Sequence, residues 1–100
     1  MKSGYNILWT PNAREELEKT IEYLELNFTD KELKKLAVKI EEITKLISHN
    51  PHIFPLSENR NVRKSVILKF NTMYYRVMGE DVEILSFFSN RQSPAKRKLH

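Results

Sequence analysis

One hundred residues, 40% hydrophobic and 30% charged, are enough for one domain with a real core and too few for two. That balance excludes a disordered chain. The lack of cysteine excludes disulfides, thiolate metal sites and a cysteine nucleophile, and no apolar run reaches the roughly 20 residues that span a bilayer. The formal net charge of +4 favours acidic or polyanionic partners, and it is unevenly placed, with nine Lys or Arg against three acids from Asn59 to His100.

The chain opens with MKSGYNILWTPNAREE, which lacks the apolar run and small-residue cleavage site of a signal peptide, so a cytoplasmic location is expected. Tyr5 to Trp9 is a short β-type run. Thr10-Pro11 then signals a helix start, with Thr as N-cap and Pro at the first helical position, where a missing N–H costs nothing. Ala13, Leu17, Ile21, Leu24 and Phe28 fall on one helical stripe, and the other faces carry charge. Thr29 with Glu32 fits a capping box for a second helix, whose stripe runs through Leu33, Leu36, Ala37, Ile40, Ile43 and Ile47. Pro51 ends it, and so short a link predicts an antiparallel helical hairpin.

After an irregular stretch from His49 to Asn61 the period changes to 2. VRKSVILKF and TMYYRVM are β-rich, GED is a hairpin turn, and VEILSFF is a further strand. Leu85 and Phe87 alternate with Ile84 and Phe88, which predicts a central strand apolar on both faces. The order β-α-α-β-β-β predicts a single α+β domain over residues 1–100. In it an N-terminal strand precedes a two-helix antiparallel hairpin packed on one face of a mainly antiparallel sheet of about four strands.

Sites of familiar chemistry are sparse. His49 and His52 flank Pro51 without an acidic cluster, and His100 stands alone, so no metal is expected. With only Gly4 and Gly79 there is no phosphate-cradling loop, and no nucleophile elbow or Ser-His-Asp set, so no cofactor is expected either. The carboxylates of the first helix read as a solvated face.

The arginines carry more. Arg63 opens one strand, Arg76 lies in the middle of the next, and Arg91 follows the last. In a meander whose other face is covered by helices, all three can gather on the open face, with Tyr74 and Met78 beside Arg76. Arginine forks suit phosphate and carboxylate, and a neighbouring tyrosine can stack on a base. A surface arginine held in a structural ion pair is the plainer reading of Arg76.

The stretch VRKSVILKFNTMYYRVMGEDVEILSFFSNRQSP resembles the C-terminal sheet of the RelE/ParE superfamily, the toxins of type II toxin–antitoxin systems. The shared pattern is Arg63 opening a strand, the Tyr75-Arg76 pair in the next, the Gly79-Glu80-Asp81 turn, the Ile84-Leu85 strand, and Arg91 just after it. TPNAREELEKTIEYL and NPHIFP match the family in the same order. The resemblance implies a compact toxin neutralised by a cognate antitoxin that wraps it, without a membrane partner. Its target would be DNA gyrase, as for ParE-like members, or the ribosome with its mRNA, as for RelE-like members.

RelE-like members cut mRNA in the ribosome, using basic residues on the sheet and often a Tyr or His near the C-terminus for proton transfer. At that place this chain has FFSNRQSP, and Lys96 is an imperfect substitute because a solvated lysine titrates near pH ~10.4. The expectation is therefore a ParE-like growth inhibitor whose target-binding surface is Arg63, Tyr74, Arg76, Arg91, Lys96 and Arg97. The alternatives are a metal-independent ribosome-dependent endoribonuclease using Arg63, Arg76, Arg91 and Lys96, or an inactive relative acting as an antitoxin-binding module.

Overall fold

The computed structural model describes residues 4–58 and 61–89. Its elements are β1 (Asn6–Trp9), α1 (Pro11–Asn27), α2 (Asp30–His49), β2 (Arg63–Ile67), β3 (Asn71–Met78) and β4 (Asp81–Ser89). The strands form one sheet in the order β1-β4-β3-β2. The β2–β3 and β3–β4 pairs are antiparallel, whereas β1 runs parallel to β4 and forms one edge.

Helix α1 starts where its signals place it. Thr10 Oγ1 accepts from the Ala13 N–H at 3.2 Å, with Pro11 following. The same hydroxyl donates to the Ile84 carbonyl at 2.8 Å, so the cap also ties the helix to β4. The helix stops at Asn27. Phe28 is an exposed, extended C-cap, tilted against Tyr23, and is no part of the helical stripe. Thr29 caps α2, but its side chain makes no capping hydrogen bond; the bond present is the Glu32 N–H to the Thr29 carbonyl at 3.0 Å. Of the expected second stripe, Leu36 and Ile47 are buried and Leu33, Ile40 and Ile43 pack against the core, while Ala37 faces solvent.

The helical hairpin covers one face of the sheet. Tyr75, Phe87, Ile47, Ile67, Met73 and Ile84 are the largest side chains fully removed from water, and burying each apolar one contributes about 1.5–3 kcal/mol. Strand β2 is shorter than expected, and its connection to β3 is longer. VRKSVILKF is not one strand: Leu68, Lys69 and Phe70 form the turn, and Leu68 takes φ 62°. Gly79, at φ 61°, makes the second turn, a conformation that glycine adopts without penalty.

Strand β4 is central, but not through simple alternation. The pairing passes from Tyr74↔Ser86 to Tyr75↔Ile84, leaving Leu85 as an extra residue, a β-bulge. The bulge shifts the side-chain parity. Ile84 and Phe87, expected on opposite faces, both enter the core, and Phe88 is exposed. A bulge leaves backbone groups without ladder partners, and α1 supplies them. Glu16 Oε1 accepts from the Phe87 N–H and from Ser86 Oγ, each at 2.8 Å, and Asn12 donates to the Leu85 carbonyl at 3.0 Å.

Candidate functional site

The face of the sheet away from the helices is the open one. Strand periodicity places Tyr74, Arg76 and Met78 on it, and Met73 and Tyr75 on the buried side. Cross-strand neighbours share a face, so the register sets the rest: Leu8 stands beside Glu83, Glu83 beside Arg76, and Tyr74 beside Lys64.

Arg76 meets the carboxylate of Glu83, Nε to Oε1 at 2.8 Å, with side-chain exposures of 43% and 29%. The ion pair foreseen as the plainer reading is present, and it answers much of the charge of Arg76. Tyr74 and Lys64, with Val62, Ser57 and Glu58, line a shallow cleft of about 430 Å³. The cleft therefore combines an ammonium, a phenol ring and a carboxylate.

Arg63 does not join them. It pairs with Tyr75, not Tyr74, and so belongs to the helix-covered side at the sheet's end. Its Nη1 donates to the Phe54 carbonyl at 2.7 Å, bracing the loop that follows α2. Beside it the buried Tyr75 hydroxyl donates to the Pro51 carbonyl at 2.8 Å. Burial pushes the Tyr75 phenol above its ordinary value of 10.0, and the Arg63 charge and hydrogen bonding from the Phe54 backbone offset that only in part.

The expected gathering of three arginines on the open face therefore fails for Arg63, which lies on the opposite face from Arg76. The reason is parity: Ser65 and Ile67 are buried, and Arg63 shares their phase, so Lys64 takes the open-face position. Arg91, Lys96 and Arg97 lie outside the described residues, as does His100.

Sequence reasoning missed three residues here. Lys64 was legible from the alternation of RKSVI once Ser65 and Ile67 were assigned to the core. Glu83 was legible from the hairpin: counting outward from a two-residue Gly79-Glu80 turn puts Met78 opposite Asp81 and Arg76 opposite Glu83. Glu16 carried no local signal, since its partners lie about seventy residues away. Among the described residues no group of three or more His, Asp or Glu is placed to hold a metal, and no helix is long and apolar enough to cross a membrane.

A family described as the ParE toxin of the type II toxin–antitoxin system parDE matches residues 7–94. No curated protein sequence is significantly similar to this one. Among solved structures, a chain of the chromosomal ParDE toxin–antitoxin system of P. aeruginosa superposes with a TM-score of 0.72 at 19% identity, over 88% of this chain and 98% of that one. A YoeB/ParE toxin from Agrobacterium tumefaciens gives 0.61 at 15% identity, over 84% and 96%. A chain of the YoeB–YefM complex from Staphylococcus aureus gives 0.56 at 22% identity, over 83% and 93%. At these identities the likeness is one of fold.

Proposed function

The chain belongs to the ParE toxin family of type II toxin–antitoxin systems, within the RelE/ParE superfamily, and on that premise we propose that it inhibits bacterial growth by a ParE-like action on DNA gyrase. A cognate antitoxin, encoded beside it, holds it inactive. The similarity to chains of a ParDE system and of a YoeB–YefM complex supports that partnership.

The observation that carries the choice of target is the separation of the arginines. Cleaving RNA through its 2′-hydroxyl needs donors converging on one phosphate, and a group to move the proton. Arg63 and Arg76 stand on opposite faces, one engaged by the Phe54 carbonyl and the other by Glu83. That arrangement suits a protein-binding face better than a phosphate cradle. We assign target contact to the open-face group of Arg76, Tyr74 and Lys64; the further contributions proposed for Arg91, Lys96 and Arg97 rest on the sequence alone.

The test is induced expression with three readouts: pulse labelling of DNA, RNA and protein synthesis, primer extension on an abundant transcript, and supercoiling by purified gyrase. The expected result is growth arrest relieved by the neighbouring gene, an early fall in DNA synthesis, and inhibited supercoiling. Codon-phased mRNA cuts with unaffected gyrase would overturn the reading in favour of an endoribonuclease. Normal growth with verified soluble protein would leave an inactive, antitoxin-binding relative.

A further inference from the structure

An open sheet is vulnerable at its two outer strands, and here the two edges differ. On the β2 side the Lys64 N–H donates to the Pro55 carbonyl at 3.1 Å, Leu56 bridges to Arg63, and the strand carries two cations that discourage a further strand. Where β4 runs on past β1, Glu16 and Asn12 take up the Phe87 N–H and the Leu85 carbonyl. The outer side of β1 has no such cover. Asn6 and Thr10 donate inward, to the Glu80 and Ile84 carbonyls, so strand parity turns the N–H and C=O groups of Ile7 and Trp9 outward. Among the described residues no loop or helix backbone bonds them. NILW holds no charge, proline or bulge, and only its shortness discourages pairing.

The side chains along this edge are apolar. Leu8 is 46% exposed, and Ile7 and Trp9 are half-buried against the core. With Arg14 and Leu17 of α1 they line a cleft of about 460 Å³. Arg14 is out of place in the isolated chain. It is a cation one turn into α1, near the positive end of the helix dipole, and among the described residues no carboxylate pairs with it.

We infer that a second copy of this chain docks on the β1 edge, β1 against β1, antiparallel about a twofold axis at Leu8. That register is self-complementary. Ile7 faces Trp9 of the second copy and exchanges both backbone hydrogen bonds with it, and the axis repeats the exchange, so every outward N–H and C=O of both strands is satisfied. Leu8 meets its own symmetry mate as a close, non-hydrogen-bonded pair, with about 4.5 Å between Cα atoms. Charge agrees with this arrangement. The end of β1, with Arg14 just beyond it, comes beside the start of the other β1. There α2 ends, the Ser48 carbonyl accepting from the Tyr5 N–H at 2.8 Å, and Glu80 lines the same recess. Arg14 therefore meets a helix C-terminus and a carboxylate. An unrelated extended peptide would satisfy the backbone groups but gives Arg14 no use. The inference is independent of the gyrase reading, since Ile7, Leu8, Trp9 and Arg14 are no part of the Arg76, Tyr74 and Lys64 group and the test reads mass rather than toxicity.

The experiment uses the full chain, which contains no cysteine. Sedimentation over a concentration series should show a monomer–dimer equilibrium. Leu8→Lys places on the edge the charge that natural edge strands use, and should raise the dissociation constant roughly tenfold or more while circular dichroism shows the fold retained. Arg14→Glu should also weaken the dimer and remove its sensitivity to salt. Leu8→Cys gives a geometric readout that holds even where Leu8→Lys fails to fold. Across the axis its two Cα atoms fall in disulfide range, so mild oxidation should link most chains into dimers. Leu56→Cys, similarly exposed but on the opposite edge, should stay unlinked. A wild type still monomeric at about 100 µM, an unchanged dissociation constant in folded Leu8→Lys, or linkage of Leu8→Cys no better than that of Leu56→Cys would each overturn the inference.

Discussion

Replacing Glu16 with Ala should be among the most damaging single changes available on the helical layer, although the residue is only half-buried. Its carboxylate oxygen accepts two hydrogen bonds at 2.8 Å, from the Ser86 hydroxyl and the Phe87 N–H. A hydrogen bond to a charged group contributes about 1.5–3 kcal/mol, and a backbone N–H left without a partner adds to the loss. Partial solvent access lets water replace some of this, so about 2–4 kcal/mol is the expected total. In a domain of this size each kcal/mol moves Tm by about 4–8 °C, which makes the shift of order 10–25 °C. Glu16→Gln keeps an amide oxygen in place of the carboxylate and should lose about half as much. Urea denaturation of the two variants measures the difference, and amide hydrogen exchange should show Phe87 losing protection selectively in Glu16→Ala. A Glu16→Ala protein within about 0.5 kcal/mol of wild type, the range of an ordinary surface change, would refute the account of the bulge.

The Arg76–Glu83 pair is partly exposed, and a double-mutant cycle on thermal unfolding should give a coupling of only about 0.2–1 kcal/mol. Arg76→Ala should therefore stay folded, and toxicity lost well beyond that small destabilisation marks target contact; unchanged toxicity would remove Arg76 from the site. Because the folded Tyr75 pKa is raised, the buried phenol contributes stability that is complete below the unfolded value near 10 and declines as pH rises from there through the folded value. Tyr75→Phe should abolish that alkaline decline in urea midpoints measured from pH 8 to 11 while lowering stability at neutral pH by about 1–3 kcal/mol, through the stranded Pro51 carbonyl. Thr10→Ala should cost about 1–2 kcal/mol by circular dichroism melting, since one hydroxyl both caps α1 and bonds β4, and Thr10→Ser should restore most of it.

Local signals settled much of this molecule. Thr10-Pro11 placed the start of α1 because capping chemistry acts within one turn. The change of period after the loop separated helices from strands, and the apolar stripes picked out Leu24, Leu36 and Ile47 as core. The alternation of TMYYRVM put Arg76 and Tyr74 on the face opposite Tyr75, and so half of the candidate site was legible. The family pattern was legible too, because it consists of residue types in order along the chain.

The rest depended on contacts that no window of sequence contains. Nothing around Leu85 announces a bulge; it persists because α1 brings Glu16 and Asn12 to the backbone groups it frees, and it reverses the phase of Phe87 and Phe88. Where β1 sits, and that it runs parallel to β4, follow from how the Thr10 cap docks on Ile84, a contact across more than seventy residues. Whether Arg63 and Arg76 cooperate came down to parity between strands, set by which neighbours of each arginine the helices bury. A one-residue change of register moves a side chain across the full thickness of the sheet, so the identity of the residues lay in the sequence while their meeting was decided by the packed fold.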